Sequence, residues 1–290
     1  MHWRSALVGA ALLTTSDSFA QAPLTLEQLL DRMGAYLLEY ETRLSSVVAD
    51  ERFEQRVLAR TASADGRPGS KIVQKVIESE IAFIRLPGGA EWLSFRDVRK
   101  VDGQRSAATA IDLPGLLASG ASGVNQAKTM ALAGAAHNLG LFRTINFPTM
   151  PLEILHPSHR QAFRHWIDGK EVVRNMSTTI VGFEETARPT IVRQPDATNL
   201  VSRGKVWVET ATGRIPRIEW VYVIQRPASV GVVLPPSLRV EFAMHDGLGI
   251  LVPTKMRENF STSMPQNNGS GEATYTNFRR FGTSAKIVPQ

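Results

Sequence analysis

The chain has 290 residues, 43% of them hydrophobic, a net charge of +6 and no cysteine. The missing thiols exclude disulfides, thiolate chemistry, cysteine zinc sites and the lipid-bearing cysteine of a bacterial lipoprotein, and no Lys/Arg block of the nucleic-acid-binding kind appears. The core alone must hold the fold, which is feasible at this size, because a chain of about 300 residues buries roughly three-quarters of its unfolded surface.

Residues 1–22 read as a signal peptide. Arg4 supplies a basic start, Ala6 to Leu13 an apolar run, and Ala20-Gln21-Ala22 the small residues of a cleavage site. The run is too short to span a bilayer, which needs about 20 apolar residues. Cleavage near Ala22 is expected to deliver a periplasmic or secreted product. No later stretch reads as an integral membrane segment, and residues 23–290 read as one domain.

Leu24 to Leu44 is the clearest helix. Thr25 and Gln28 form a capping box, Leu24 and Leu29 a hydrophobic staple, and Leu26, Leu30, Met33, Leu37, Tyr40 and Leu44 one apolar stripe. Residues 46–60 tend toward strand, 62–70 form a loop, and 71–101 read as a hairpin around Pro87-Gly88-Gly89. Residues 102–147 are the least sheet-like part, with an Ala-rich helix expected over 124–138 and stopped at Gly140. Strands are expected at 163–167 and 177–184 about an Asp168-Gly169 turn.

Lys205 to Ile224 is a hairpin and is expected to form the middle of a long antiparallel sheet. Val206 and Val208 alternate with Lys205, Trp207 and Glu209, Gly213 serves the turn, and Ile218, Trp220, Tyr222 and Ile224 share one face of the return strand. Pro216, lacking an N–H, belongs at that strand's start. Further strands are expected at 238–245, 250–260 and 272–281. Some eight to ten strands with two leading helices give an α+β domain.

The candidate chemistry is sparse. His156, His159 and His165, near Glu153 and Asp168, could hold a metal; polar groups at a turn are the plainer reading, since Pro157 interrupts the helix and no HExxH spacing is present. No GxSxG, SxxK, P-loop or dinucleotide fingerprint occurs, so neither a cofactor nor a catalytic residue is expected. Several strands read as apolar on both faces. Either both faces are covered, or one lines a cavity for an apolar ligand, with Phe83, Trp92, Trp207, Trp220, Tyr222 and Phe242 as its candidate lining.

The export signal, the leading amphipathic helix and the segment Gly204 to Trp220 (GKVWVETATGRIPRIEW) together resemble the LolA/LolB-type half-barrels, which include periplasmic lipoprotein carriers, their outer-membrane receptors and sensor domains. The resemblance implies one strongly curved antiparallel sheet, a half-barrel, with the N-terminal helix and a second helix packed on it. It also implies a lipid, lipidated peptide or other apolar ligand in the concave face, and no catalysis. The long middle segment and the histidines depart from the carriers. An envelope protein-interaction or sensor domain is the alternative, and a metal-dependent hydrolase using the histidines a third.

Overall fold

The structure, a computed structural model, describes residues 24–45, 47–62, 68–85, 92–106, 129, 132–140, 143–194, 196–224, 235–261 and 268–280; within the strands it leaves out the side chains of 60–62, 68, 84, 85, 92, 93, 95, 224 and 261. The residues expected to form a signal peptide, and residues 124–128, 130 and 131 of the Ala-rich helix expected over 124–138, lie outside these residues; 129 and 132–135 are helical. Helix α1 (Leu26–Leu44) starts as the sequence dictates: Thr25 Oγ1 accepts from Gln28 N, and Gln28 Oε1 accepts from Thr25 N. Its stripe Leu29, Leu30, Met33, Leu37, Tyr40 and Leu44 is buried, and Arg43 reaches Glu39 at 3.1 Å one turn back.

Eleven strands follow among the described residues: β1 (Val47–Ala62), β2 (Pro68–Arg85), β3 (Trp92–Val101), β4 (Gln104–Arg105), β5 (Phe163–Val173), β6 (Met176–Glu185), β7 (Leu200–Glu209), β8 (Arg217–Ile224), β9 (Ser237–His245), β10 (Ile250–Ser261) and β11 (Asn268–Arg280). All pair antiparallel in one open, curved sheet of order β4-β3-β2-β1-β11-β10-β9-β8-β7-β6-β5. Two meanders therefore meet where β1 pairs with β11, and β4 and β5 lie at opposite edges. The hairpin β7–β8 is off-centre, since the middle strand is β10.

One turn differs from expectation. Asp168-Gly169 is not the β5–β6 turn but a bulge inside β5, where the register slips between Ile167 and Gly169. The chain reverses instead at Arg174 and Asn175, both at positive φ (48° and 64°). Positive φ at both central residues is the requirement of the two-residue turn whose twist matches paired strands. Gly213 does what the sequence suggests, at φ 79°. It also lies so close to α1 that a Cβ there would stand 2.4 Å from the Arg32 carbonyl oxygen. Arg32 Nη1 in turn donates to Thr210 O at 2.8 Å, and Arg43 Nη2 to Gly249 O at 2.8 Å. The helix thus fastens the β7–β8 and β9–β10 turns with its own arginines.

The two sheet faces differ more than the sequence suggests. The inner face, under α1, carries Ala49, Phe53, Ile77, Ile81, Phe83, Val181, Phe183, Val206, Ile218, Trp220, Val240 and Met256, all buried. The outer face is mainly a lattice of cross-strand ion pairs, among them Lys255–Glu272 (2.8 Å), Arg239–Glu219 (2.8 Å), Arg217–Glu171 (2.9 Å) and Lys100–Glu78 (2.8 Å). Such exposed pairs are each worth about 0–1 kcal/mol; their role is to keep this face wet. The expectation of apolar residues on both faces is corrected accordingly.

Candidate functional site

Of the six aromatic candidates, Phe83, Trp220, Tyr222 and Phe242 share the inner face and belong to the core, none more than 8% exposed. Trp207 points the other way. On the outer face its Nε1 donates to Glu171 Oε2 at 2.6 Å, and the Arg217 guanidinium lies 5.0 Å from its ring centre. Trp92 opens β3, and its side chain lies outside the described residues.

Part of what covers the inner face follows from topology. With β4 and β5 at opposite edges, the connection between them must cross the sheet, and its described portions cross on the inner side. Phe147, Leu152, Ile154 and Leu155 join the core there, the last three in or beside the short helix α2 (Met150–Ile154). Further back, Arg143 is buried and donates to Glu258 of β10 at 2.7 Å and to Gln55 of β1 at 3.1 Å, with its guanidinium 3.7 Å from the centre of the Phe260 ring. A second buried pair, Arg96 of β3 with Glu51 of β1, lies between the rings of Phe53 and Phe147, and Ser79 Oγ donates to the same carboxylate at 2.8 Å. The two pairs are joined by hydrogen bonds. Arg96 donates to Asn146 O (3.2 Å), Asn146 Nδ2 to Asn138 Oδ1 (3.0 Å), and Asn138 Nδ2 to Arg143 O (2.9 Å). Burying charge is tolerated only where pairing and hydrogen bonds offset lost hydration, and both carboxylates here have them. This network fastens the crossing segment to β1, β3 and β10.

An apolar opening remains beside the middle of α1. Between α1, α2, the 3-10 helix Pro157–Ala162 and β5 runs a groove of about 250 Å³, lined chiefly by Leu30, Met33, Leu38, Ile154, Leu155 and Phe163. Leu38 is 47% exposed. Pro157 rests against Gly34, where a Cβ would meet its ring at 3.1 Å. Arg160 at the mouth pairs with Asp31 at 2.5 Å and with Glu27.

His165 also lines the groove, and burial, helped by the Arg160 charge, pushes its pKa below the ordinary imidazole value. A histidine held neutral in the fold takes up its proton more readily when unfolded. Its cost to stability is therefore absent above about pH 6.5 and grows as pH falls through that value. The acid limb of a melting-temperature profile should flatten in His165→Gln; an unchanged limb would mean that this ring does not contribute.

The three candidate metal-binding histidines do not converge. His156 caps the 3-10 helix, accepting from Ser158 N, and faces Glu41 at 3.4 Å. His159 turns to Glu153 O at 3.2 Å, and His165 sits on β5 beside Phe163. Among the described residues no three His, Asp or Glu side chains could together hold a metal ion.

No family model matches the chain, and no curated protein matches it. Solved structures do. A DUF1329 family protein from Desulfovibrio piger matches at 12% identity over 90% of this chain and 94% of that one, with a TM-score of 0.37. A LolA superfamily protein from Nitrosomonas europaea matches at 11% identity over 89% and 97%, with a TM-score of 0.32. An outer membrane lipoprotein-sorting protein domain from Vibrio parahaemolyticus matches at 8% identity over 88% and 94%, also with a TM-score of 0.32. LolA-superfamily proteins are thus among those the chain resembles.

Sequence reasoning passed over Glu51, Gln55, Arg96, Asn138, Arg143, Asn146 and Glu258. A signal existed for two of them. In Ala49-Asp-Glu-Arg-Phe53-Glu-Gln-Arg-Val57, the period-two phase set by Ala49, Phe53 and Val57 also selects Glu51 and Gln55. Polar residues in an apolar phase mark a buried partner. Among the described residues, no helix is long and apolar enough to cross a membrane.

Proposed function

We propose that the protein is an exported, non-enzymatic component of the cell envelope that holds an apolar chain, the acyl group of a lipid or of a lipidated peptide. The observation that carries this reading is the apolar groove of about 250 Å³ beside α1. The sheet's inner face is unsuited to the task, because α1 and the crossing segment occupy it. The groove's size is below the 300–1,000 Å³ of a typical small-molecule pocket and suits a single narrow chain.

The test is uptake of a fluorescent fatty-acid analogue, with native mass spectrometry of gently purified protein for co-purified lipid. Gly34→Leu should abolish uptake, at least tenfold, because the new side chain must push Pro157 off α1 and so deform the groove wall; α1 itself gains helix propensity from the change. If the unaltered protein takes up no analogue and carries no lipid, or if Gly34→Leu binds as well as before, the reading fails.

A second reading, an envelope protein-interaction or sensor domain, is favoured by edge strand β5, which among the described residues pairs only with β6 and is partly or fully exposed from Arg164 to Val172. Such an edge can accept a strand from a partner. Capture of one specific envelope protein, with no lipid on the purified chain, would favour it over the first.

A further inference from the structure

Where α1 is clamped to two turns, a pocket remains on the flank of the helix away from the groove. It measures about 270 Å³, lies between α1 and the β7–β8 and β9–β10 turns, and shares only Ala35 with the groove's lining. Its polar wall is Arg32, Tyr36, Arg43 and Arg214 with a single acid, Glu39, and its apolar wall includes Ile250 and Leu251. Three cations thus face one carboxylate, whereas on the outer face of the sheet cations and carboxylates pair across strands, as in Lys255–Glu272 and Arg239–Glu219.

The hydrogen bonds around this pocket leave donors in surplus. Arg32 Nη1 donates to Thr210 O (2.8 Å) and Ala211 O (3.2 Å). Arg43 Nη2 donates to Leu248 O (3.2 Å) and Gly249 O (2.8 Å), and its Nη1 to Glu39 (3.1 Å). Those turn carbonyls and the lining carboxylate are therefore engaged, and Glu209 nearby accepts from Thr212. What is left is Nε and Nη2 of Arg32, the whole guanidinium of half-buried Arg214, and the Tyr36 hydroxyl. None of these has a hydrogen-bond or ion-pair partner among the described residues. Burial pushes the Tyr36 pKa above the ordinary phenol value, against the opposing charge of Arg214, so its hydroxyl stays a donor. The carbonyls that hold Arg32 are neutral; they fix its fork before any ligand arrives and leave its charge uncompensated.

We propose that this pocket binds a phosphate group, free or as part of an ester, through Arg32, Arg214 and the Tyr36 hydroxyl. A phosphate offers acceptors on several oxygens, and guanidinium forks match its geometry two bonds at a time. Two forks and a hydroxyl call for more acceptor oxygens than the two of a carboxylate. A cationic guest would meet three guanidiniums, and an apolar one would leave the spare donors covered and unpaired. Ile250 and Leu251 give the carbon part of an ester a surface to lie on. The pocket and the groove lie on opposite flanks of α1, so this binding does not depend on what the groove holds.

The experiment is isothermal titration calorimetry of the purified protein at constant ionic strength, with inorganic phosphate, acetate and monomeric dihexanoyl phosphatidylglycerol as probes. Phosphate should bind, and acetate more weakly. Arg214→Gln should weaken phosphate binding by about tenfold or more, the worth of a charge-assisted hydrogen bond. Arg214→Lys should weaken it less, because the charge stays while the fork is lost, and Tyr36→Phe by about fivefold. Arg214 bonds to nothing else among the described residues, so melts of Arg214→Gln without phosphate should match those of the unaltered protein. Lys100→Gln, on β3, is the charge control and should leave phosphate binding nearly unchanged. The Arg214-dependent part of the dihexanoyl phosphatidylglycerol affinity names the source of the phosphate: stronger than for inorganic phosphate, a lipid headgroup; equal or weaker, a soluble phosphate. No phosphate binding, acetate binding as tightly as phosphate, undiminished binding in Arg214→Gln, or an equal loss in Lys100→Gln would overturn the proposal.

Discussion

Replacing Arg143 by Ala should lower the free energy of unfolding by about 3–5 kcal/mol in urea titrations, the usual cost of removing one partner from a buried ion pair. Glu258 would be left buried without its guanidinium, Gln55 would lose a donor, and the Phe260 ring would lose its cationic cover. The fall should reflect lost pairing, not a general need for charge at this position. The double replacement Arg143→Met/Glu258→Leu removes both charges while keeping bulk and should recover much of the loss, because apolar substitutes for buried ion pairs are often neutral or better. A loss below about 1 kcal/mol in Arg143→Ala would mean that the crossing segment is held by its apolar contacts alone.

The second large effect is expected at Trp220, a sequence candidate for ligand contact. It is fully buried on the inner face, its ring 5.1 Å from that of Tyr222. Trp220→Ala should cost about 3–5 kcal/mol through the cavity it leaves. Trp220→Phe separates core packing from polar recognition. Trp220 Nε1 has no hydrogen-bond partner among the described residues, so removing it relieves a desolvation penalty, and the change should cost less than about 1.5 kcal/mol. If Trp220 served a ligand instead, the Ala variant would keep its stability and lose only binding. Chemical denaturation alongside the fatty-acid uptake assay distinguishes these outcomes.

The elements that were legible in the sequence are those set by local chemistry. Thr25 and Gln28 announce the start of α1 three residues apart, and Val206, Val208, Ile218 and Trp220 declare their common face by alternation. What stayed hidden depends on distant partners. Nothing near Val47–Val57 says that it will pair with residues 269–280, because that register is decided by faces more than 200 residues apart. Asp168-Gly169 looks like a turn and is a bulge, since those two residue types serve both roles and only the register with β6 distinguishes them. Residue type alone marks out the aromatic candidates. The face each occupies divides Trp207 from Trp220, and the crossing segment, laid over the inner face because β4 and β5 are at opposite edges, decides how little of that face is left open.

The seam between β1 and β11 also bears on how the protein is made. Until residues 268–280 have left the ribosome, strands β1 to β4 and β5 to β10 are two separate ribbons, each with an unsatisfied edge where the missing strand will lie. The sheet can therefore close only as synthesis of those residues finishes, and a chain halted short of them cannot lock into the native form.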